Sequence, residues 1–193
     1  IFNGNNYTKE WVEEAKRRGL LDLSTAVDAL PHFSDEKNIE LFRRHKMFTE
    51  SEISSRLDII IDNYNKVIMI EASTMLDMAK KDILPACIAY ERSLAETAAA
   101  KKSLSLSVEG CAELELVKKI DSLCRELSLR TEEMQSLRNE AEGIEELLPK
   151  ARFVCYRLHS SMSALRTVAD RLEDTVAAEY WPFPTYRDLL FSV

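Results

Sequence analysis

Between residues 50 and 104 the sequence holds one helix breaker, Pro85, and no glycine. Patterned as a helix, that stretch makes a rod of roughly 80 Å at 1.5 Å rise per residue, and few folds of 193 residues can house one. It opens on Thr49-Glu50-Ser51-Glu52, a capping box in which a Thr hydroxyl and a Glu carboxylate satisfy the free amides of the first turn. Pro85 lacks a backbone donor and crowds the carbonyl four residues back, so a kink is expected there, not a stop. The whole chain carries only four glycines and five prolines. That scarcity excludes a β-sandwich, a collagen-like chain and a glycine-rich linker.

Charge narrows the function classes. Twenty-six basic and 33 acidic residues give −7, and the basic ones occur as doublets such as Arg17-Arg18 and Lys101-Lys102. Nucleic-acid binding needs a basic face this chain does not advertise. The longest run without Asp, Glu, Lys or Arg is eight residues, far short of the ~20 that a membrane-spanning helix needs. No segment has the pattern of a signal peptide. Cys87, Cys111, Cys124 and Cys155 lack C-x-x-C spacing and fall in helical patterns, so buried free thiols in a reducing cytosol are expected. Ile1 is not a start methionine, and the chain reads as a piece of something longer.

The first fifty residues read as short helices: one capped by Thr8 and ended by Gly19, one capped by Ser24 and stopped by Pro31, and one capped by Ser34 or Asp35, with Ile39, Leu41 and Phe42 on its apolar side. Such pieces are too short to stand alone. After a reversal at 107–110, Val117, Ile120, Cys124, Leu127, Thr131, Met134, Leu137, Ala141, Ile144 and Leu148 recur at steps of three and four, a heptad seam. Gly143 and Pro149 mark the next reversal. Val154, Leu158, Met162, Leu165, Ala169, Leu172 and Val176 then stripe a third helix from Ala151 to about Glu179. The expected fold is all-α: an antiparallel bundle of three long helices, the first kinked at Pro85, with short N-terminal helices and an extended aromatic C-terminal tail. The divisions are 1–48, 49–179 and 180–193.

Two features exceed what a simple bundle needs. Residues 57 to 79 are apolar on more than one side, with Leu57, Ile59, Ile60, Ile61, Val67, Ile68, Met69, Ile70, Met75, Leu76 and Met78, which implies a second surface to pack against. The ending EYWPFPTYRDLLFSV holds five of the chain's fifteen aromatics, and Pro182 and Pro184 hold it extended. An aromatic tail of this kind docks, either on this domain's own helices or on another domain or subunit.

Reaction chemistry is sparse. The residues three before His32, His45 and His159 are Ala29, Phe42 and Tyr156, so the Glu-x-x-His pairs of a di-metal bundle are missing. Glu71, Asp77 and Asp82 lie among apolar residues, yet pairing with Lys80 or Lys81, or reaching the rim, is the commoner fate of such acids. No glycine neighbours another closely enough for a phosphate loop. Cys155 and His159 share a helix face, an arrangement that is more often core plus rim than nucleophile plus base. No catalytic, cofactor-binding or metal-ligating residue is expected.

Four blocks carry a family resemblance: IFNGNNYTKEWVEEAKRRGL at 1–20, TAVDALP at 25–31, NKVIMIEASTMLDMAKKDILPA at 65–86 and EYWPFPTYRDLLFSV at 179–193. In content and order they resemble the C-terminal helical region of the type III glutamine synthetases. The resemblance implies a cytoplasmic parent ligase that joins glutamate and ammonia through a γ-glutamyl phosphate, with ATP and Mg or Mn bound in an upstream catalytic domain. None of the family's catalytic motifs is present here. It also implies partners, namely that upstream domain and neighbouring subunits of a double-ring homo-oligomer, with neither nucleic acid nor membrane among them. On this reading Leu57, Ile61, Ile68, Met75, Trp181, Phe183, Tyr186, Leu190 and Phe191 form the domain or subunit interface. The competing expectation is an independent coiled-coil interaction module with no enzymatic parent.

Overall fold

Helix signals in the sequence become helices throughout the computed structural model, which describes residues 3–184 and 186–191; the side chains of Tyr186, Arg187 and Phe191 lie outside the described set. Among the described residues there is no strand. In chain order the elements are α1 (Lys9–Arg17), α2 (Ala26–Ala29), a 3-10 helix (Leu30–Ser34), α3 (Glu36–Arg44), α4 (Glu50–Asp77), a π turn (Met78–Ile83), α5 (Leu84–Ser103), α6 (Ala112–Glu142), α7 (Leu147–Phe153), a second π turn (Val154–Leu158), α8 (His159–Glu173) and α9 (Tyr186–Phe191). The chain divides into two compact units, residues 1–64 and 65–193, and the division falls inside α4.

In the first unit the short helices start and stop by local chemistry that differs from the expectation in detail. Thr8 stands at the N-cap of α1, but its hydroxyl donates to the Asn5 carbonyl and caps nothing. Thr25, not Ser24, caps α2: its Oγ1 accepts from the Asp28 N–H at 3.2 Å and donates to Asp28 Oδ2 at 2.6 Å. Pro31 does not stop the chain, because it sits in the first turn of the 3-10 helix, where no N–H is required. Asp35 precedes α3 but spends its carboxylate on His32 Nδ1, 2.9 Å away. Leu41 is 49% exposed, so the inner side of α3 is Ile39 and Phe42. The rings of Phe33, Phe42 and Phe48 follow one another at 5.4 and 5.6 Å, and the Arg56 guanidinium lies 4.5 Å over Phe48.

The capping box forms as read: the Thr49 N–H donates to Glu52 Oε2 at 2.8 Å, and the Glu52 N–H donates to Thr49 Oγ1 at 3.3 Å. From Glu50 the helix runs unbroken to Ser103. Just before Pro85 the helix widens into the π turn, where the Leu84 N–H reaches back five residues to the Ala79 carbonyl. One extra residue in that turn relieves the crowding a proline ring imposes on the preceding carbonyls.

In the second unit three helical rods pack antiparallel: residues 65–103, α6, and 147–173. Arg138 Nε donates to Ser73 Oγ at 2.8 Å and Lys80 Nζ to Gln135 Oε1 at 3.0 Å, between the first and second rods. Arg157–Glu140 and Arg171–Glu126 tie the second to the third. Between them lie Ala72, Leu76, Ala79, Ile83 and Cys87 from the first rod, Ile120, Leu123, Cys124, Leu127, Thr131, Met134 and Ala141 from α6, and Val154, Leu158, Met162, Leu165, Val168 and Leu172 from the third, all buried. Of the seam read for the second helix, Ile120, Cys124, Leu127, Thr131, Met134 and Ala141 are buried and Leu123 joins them, while Val117, Leu137, Ile144 and Leu148 are half-buried; in the third rod Val168 is added and Ala169 is half-buried. The loop between α5 and α6 turns through Ser105 (φ 60°) and Gly110 (φ 68°), the latter in the left-handed region that glycine enters without strain.

Two boundaries of the third rod and the tail differ from the expectation. The third rod starts at Leu147, with Pro149 harmless in its first turn, and it ends at Glu173 instead of Glu179. The tail is not extended throughout: Tyr186–Phe191 forms α9. A proline restricts only itself and the residue before it, so Pro184 leaves the chain free to turn helical two residues later.

Candidate interaction surface

Acids and histidines in the described residues do not gather. Asp77 pairs with Lys81 at 2.7 Å across one helical turn, while Glu71 and Asp82 are exposed. Cys155 is half-buried inside the second π turn and His159 is exposed after it. No group of three His, Cys, Asp or Glu side chains among the described residues could hold a metal ion. Among the described residues no helix is long and apolar enough to cross a membrane.

The sharpest electrostatic feature is structural. Lys101, at the end of α5, pairs with Glu113, in the first turn of α6, and its ammonium holds the Glu113 carboxyl down to about 2. This pair clasps the loop between the two helices. Asn65 is 3% exposed and donates from Nδ2 to the Leu147 carbonyl at 3.0 Å, which pins the start of the third rod to the first.

Apolar surface is what the second unit offers. A groove of about 640 Å³ runs between Met75, Met78 and Ile83 on the first rod and Met162, Leu165 and Ala169 on the third. Trp181, Phe183, Pro184 and Leu189 from the tail close one side, and Arg166, Asp170 and Glu173 sit at its rim. The tail is anchored on its own bundle by Tyr180, whose ring lies 5.2 Å from that of Tyr90; Trp181 and Phe183 meet edge to face at 6.2 Å. Methionines suit such a wall because an unbranched thioether adapts its shape.

The residues expected at an interface fall into three groups. Met75, Trp181 and Phe183 come together around this groove, each half-buried. Leu190 is 72% exposed on α9, and the side chains of Tyr186 and Phe191 lie outside the described residues. Leu57 and Ile68 are half-buried, and Ile61, only 4% exposed, is core with little surface to offer a partner. The apolar side chains that do stand in solvent are Ile59 and Ile60 in the first unit, at 65% and 45% exposed, and Val67, Ile70 and Ile88 in the second, at 43%, 65% and 52%; the first four belong to the two-sided apolar stretch read from the sequence but not to the residues singled out for the interface, and Ile88 lies beyond that stretch. Within each unit the spacing puts Ile59 opposite Leu57 and Ile61, and Ile70 opposite Ile68 and Met75. Both sides of this helix are apolar, so periodicity alone names two stripes without saying which one is inside.

Comparison with known proteins supplies a context for that surface. A family model described as the glutamine synthetase C-terminal domain matches residues 1–102. A glutamine synthetase of Butyrivibrio fibrisolvens is 39% identical over 100% of this chain and 28% of its own length. The type-3 glutamine synthetase of Dictyostelium discoideum is 31% identical over 99% of the chain and 26% of its own length. A glutamine synthetase of Bacteroides fragilis (strain YCH46) is 28% identical over 99% of the chain and 27% of its own length. The chain thus spans about a quarter of the length of the curated relatives it matches.

Proposed function

This chain belongs to the glutamine synthetase C-terminal domain family, and from that premise we propose that it is the non-catalytic, architectural end of a longer glutamate–ammonia ligase. In this reading the parent polypeptide binds ATP and Mg or Mn in an upstream catalytic domain and works in the cytoplasm as a homo-oligomer. The helical chain packs against that domain and against neighbouring subunits. One observation carries the proposal: large apolar side chains stand exposed along the long helix and α9, while no set of acids and histidines converges among the described residues. Surface of that composition suits an interface better than a reaction.

Two measurements test it. Calorimetric titration of the isolated chain with ATP and Mg should show no binding tighter than about 1 mM, the weak end of ordinary enzyme–substrate recognition; a micromolar site would place nucleotide chemistry in these residues and end the proposal. Truncating the full polypeptide after Glu179 should reduce assembly or solubility on sedimentation. A truncated enzyme that assembles and turns over like the parent would remove the tail from the interface.

A further inference from the structure

The facing surfaces of the first rod and α6 bring two thiols to one level. Hydrogen bonds from Arg138 to Ser73, from Lys80 to Gln135 and from Lys101 to Glu113 fix the antiparallel register. In that register Cys87 on α5 and Cys124 on α6 fall within one helical turn of each other. Both are buried, at 0% and 8% exposed. Alanines at the buried positions 72, 79 and 98 of the first rod leave room for the two backbones to approach, as a cross-link between helices requires. The Cys124 thiol beside it, together with burial, pushes the Cys87 thiol up, while the neighbouring Cys87 draws the Cys124 thiol below its ordinary value.

We propose that Cys87 and Cys124 are a modification site, a thiol pair that a hydroperoxide oxidises to a disulfide joining α5 to α6. The Cys124 thiolate attacks one peroxide oxygen, the O–O bond breaks, and the leaving hydroxide takes up the proton the thiol lost, giving water and a Cys124 sulfenic acid. Cys87 then gives up its proton and attacks the Cys124 sulfur. The S–O bond breaks, a second water leaves, and the S–S bond forms. Two thiols are oxidised by two electrons and one peroxide is reduced. The π turn at Met78–Ile83 and Pro85 lie just N-terminal of Cys87, and in this proposal the oxidant reaches the buried pair by local opening at that irregular stretch. The site is independent of the architectural role proposed above.

The test uses the full polypeptide in its folded state, treated with hydrogen peroxide, then alkylated in denaturant and mapped by mass spectrometry without reduction. The expected product is a single linked peptide pair holding Cys87 and Cys124, reversed by dithiothreitol, with Cys111 and Cys155 unlinked. Cys87→Ala and Cys124→Ala should each abolish it, while Cys111→Ala leaves it intact. Cys87 and Cys124 both recovered as alkylated thiols, or linked only to other cysteines, would overturn the proposal. The mapping reads the wild-type protein, so poor folding of either alanine variant does not alter the outcome.

Discussion

At Glu113 the position of one proton changes how firmly two helices are clasped. Its carboxyl titrates at about 2 in the folded chain against an ordinary value of 4.5, chiefly because it accepts a hydrogen bond from Lys101. The folded value lies below the unfolded one, so the contribution is whole above about 4.5 and drains away as pH falls toward about 2. Glu113→Gln should therefore flatten the acid side of a plot of melting temperature against pH; an unchanged slope between those values would show that the pair is screened out. Core residues differ by mechanism. Leu127, 1% exposed, should cost about 2–5 kcal/mol as Leu127→Ala, because a cavity is left behind. Leu129, 53% exposed on the same helix, should stay within about 0.5 kcal/mol as Leu129→Ala. Chemical denaturation of the two variants measures the contrast. Leu127 was legible because the three-four stepping of the seam names it directly. Leu123, 2% exposed, was not, because a seam counts one residue per step while a helix touching two neighbours buries a wider arc.

Elements were legible where local chemistry is self-contained. The Thr49–Glu52 box, the start of α4 and the reversal at 107–110 depend on side chains within a few residues of each other. The π turns depend on packing, yet they leave a trace: buried positions Ala79, Ile83 and Cys87, and again Val154, Leu158 and Met162, advance by two successive steps of four. In a regular α-helix two such steps swing the stripe aside by most of a right angle. A wider turn takes up the swing. Pro85 is exposed and packs little, so Pro85→Ala should restore a backbone donor without opening a cavity. The expected result is a gain in stability of about 1 kcal/mol on thermal denaturation, the worth of one regained hydrogen bond, since the π turn already relieves the ring's crowding. A loss would mean that the ring itself holds the π turn in place.

The whole molecule resolves into two compact units, each with buried residues of its own. A fragment of residues 65–193 should therefore melt in one cooperative transition followed by circular dichroism, whereas a broad, featureless melt would show that its core is incomplete alone. At this scale the sequence announced surplus apolar surface and an aromatic ending, and both were found. It did not announce where they lead. Met75, Trp181 and Phe183 meet only because the chain reverses twice between them, a tertiary fact with no local signature. The two π turns also speak to descent. A helix that bonds five residues back for one turn has absorbed a single inserted residue without disturbing the faces on either side. A relative lacking either insertion would align with this chain through a one-residue gap inside 78–83 or 154–158, in mid-helix, so those two gaps would sort the lineage more cleanly than length changes in its loops.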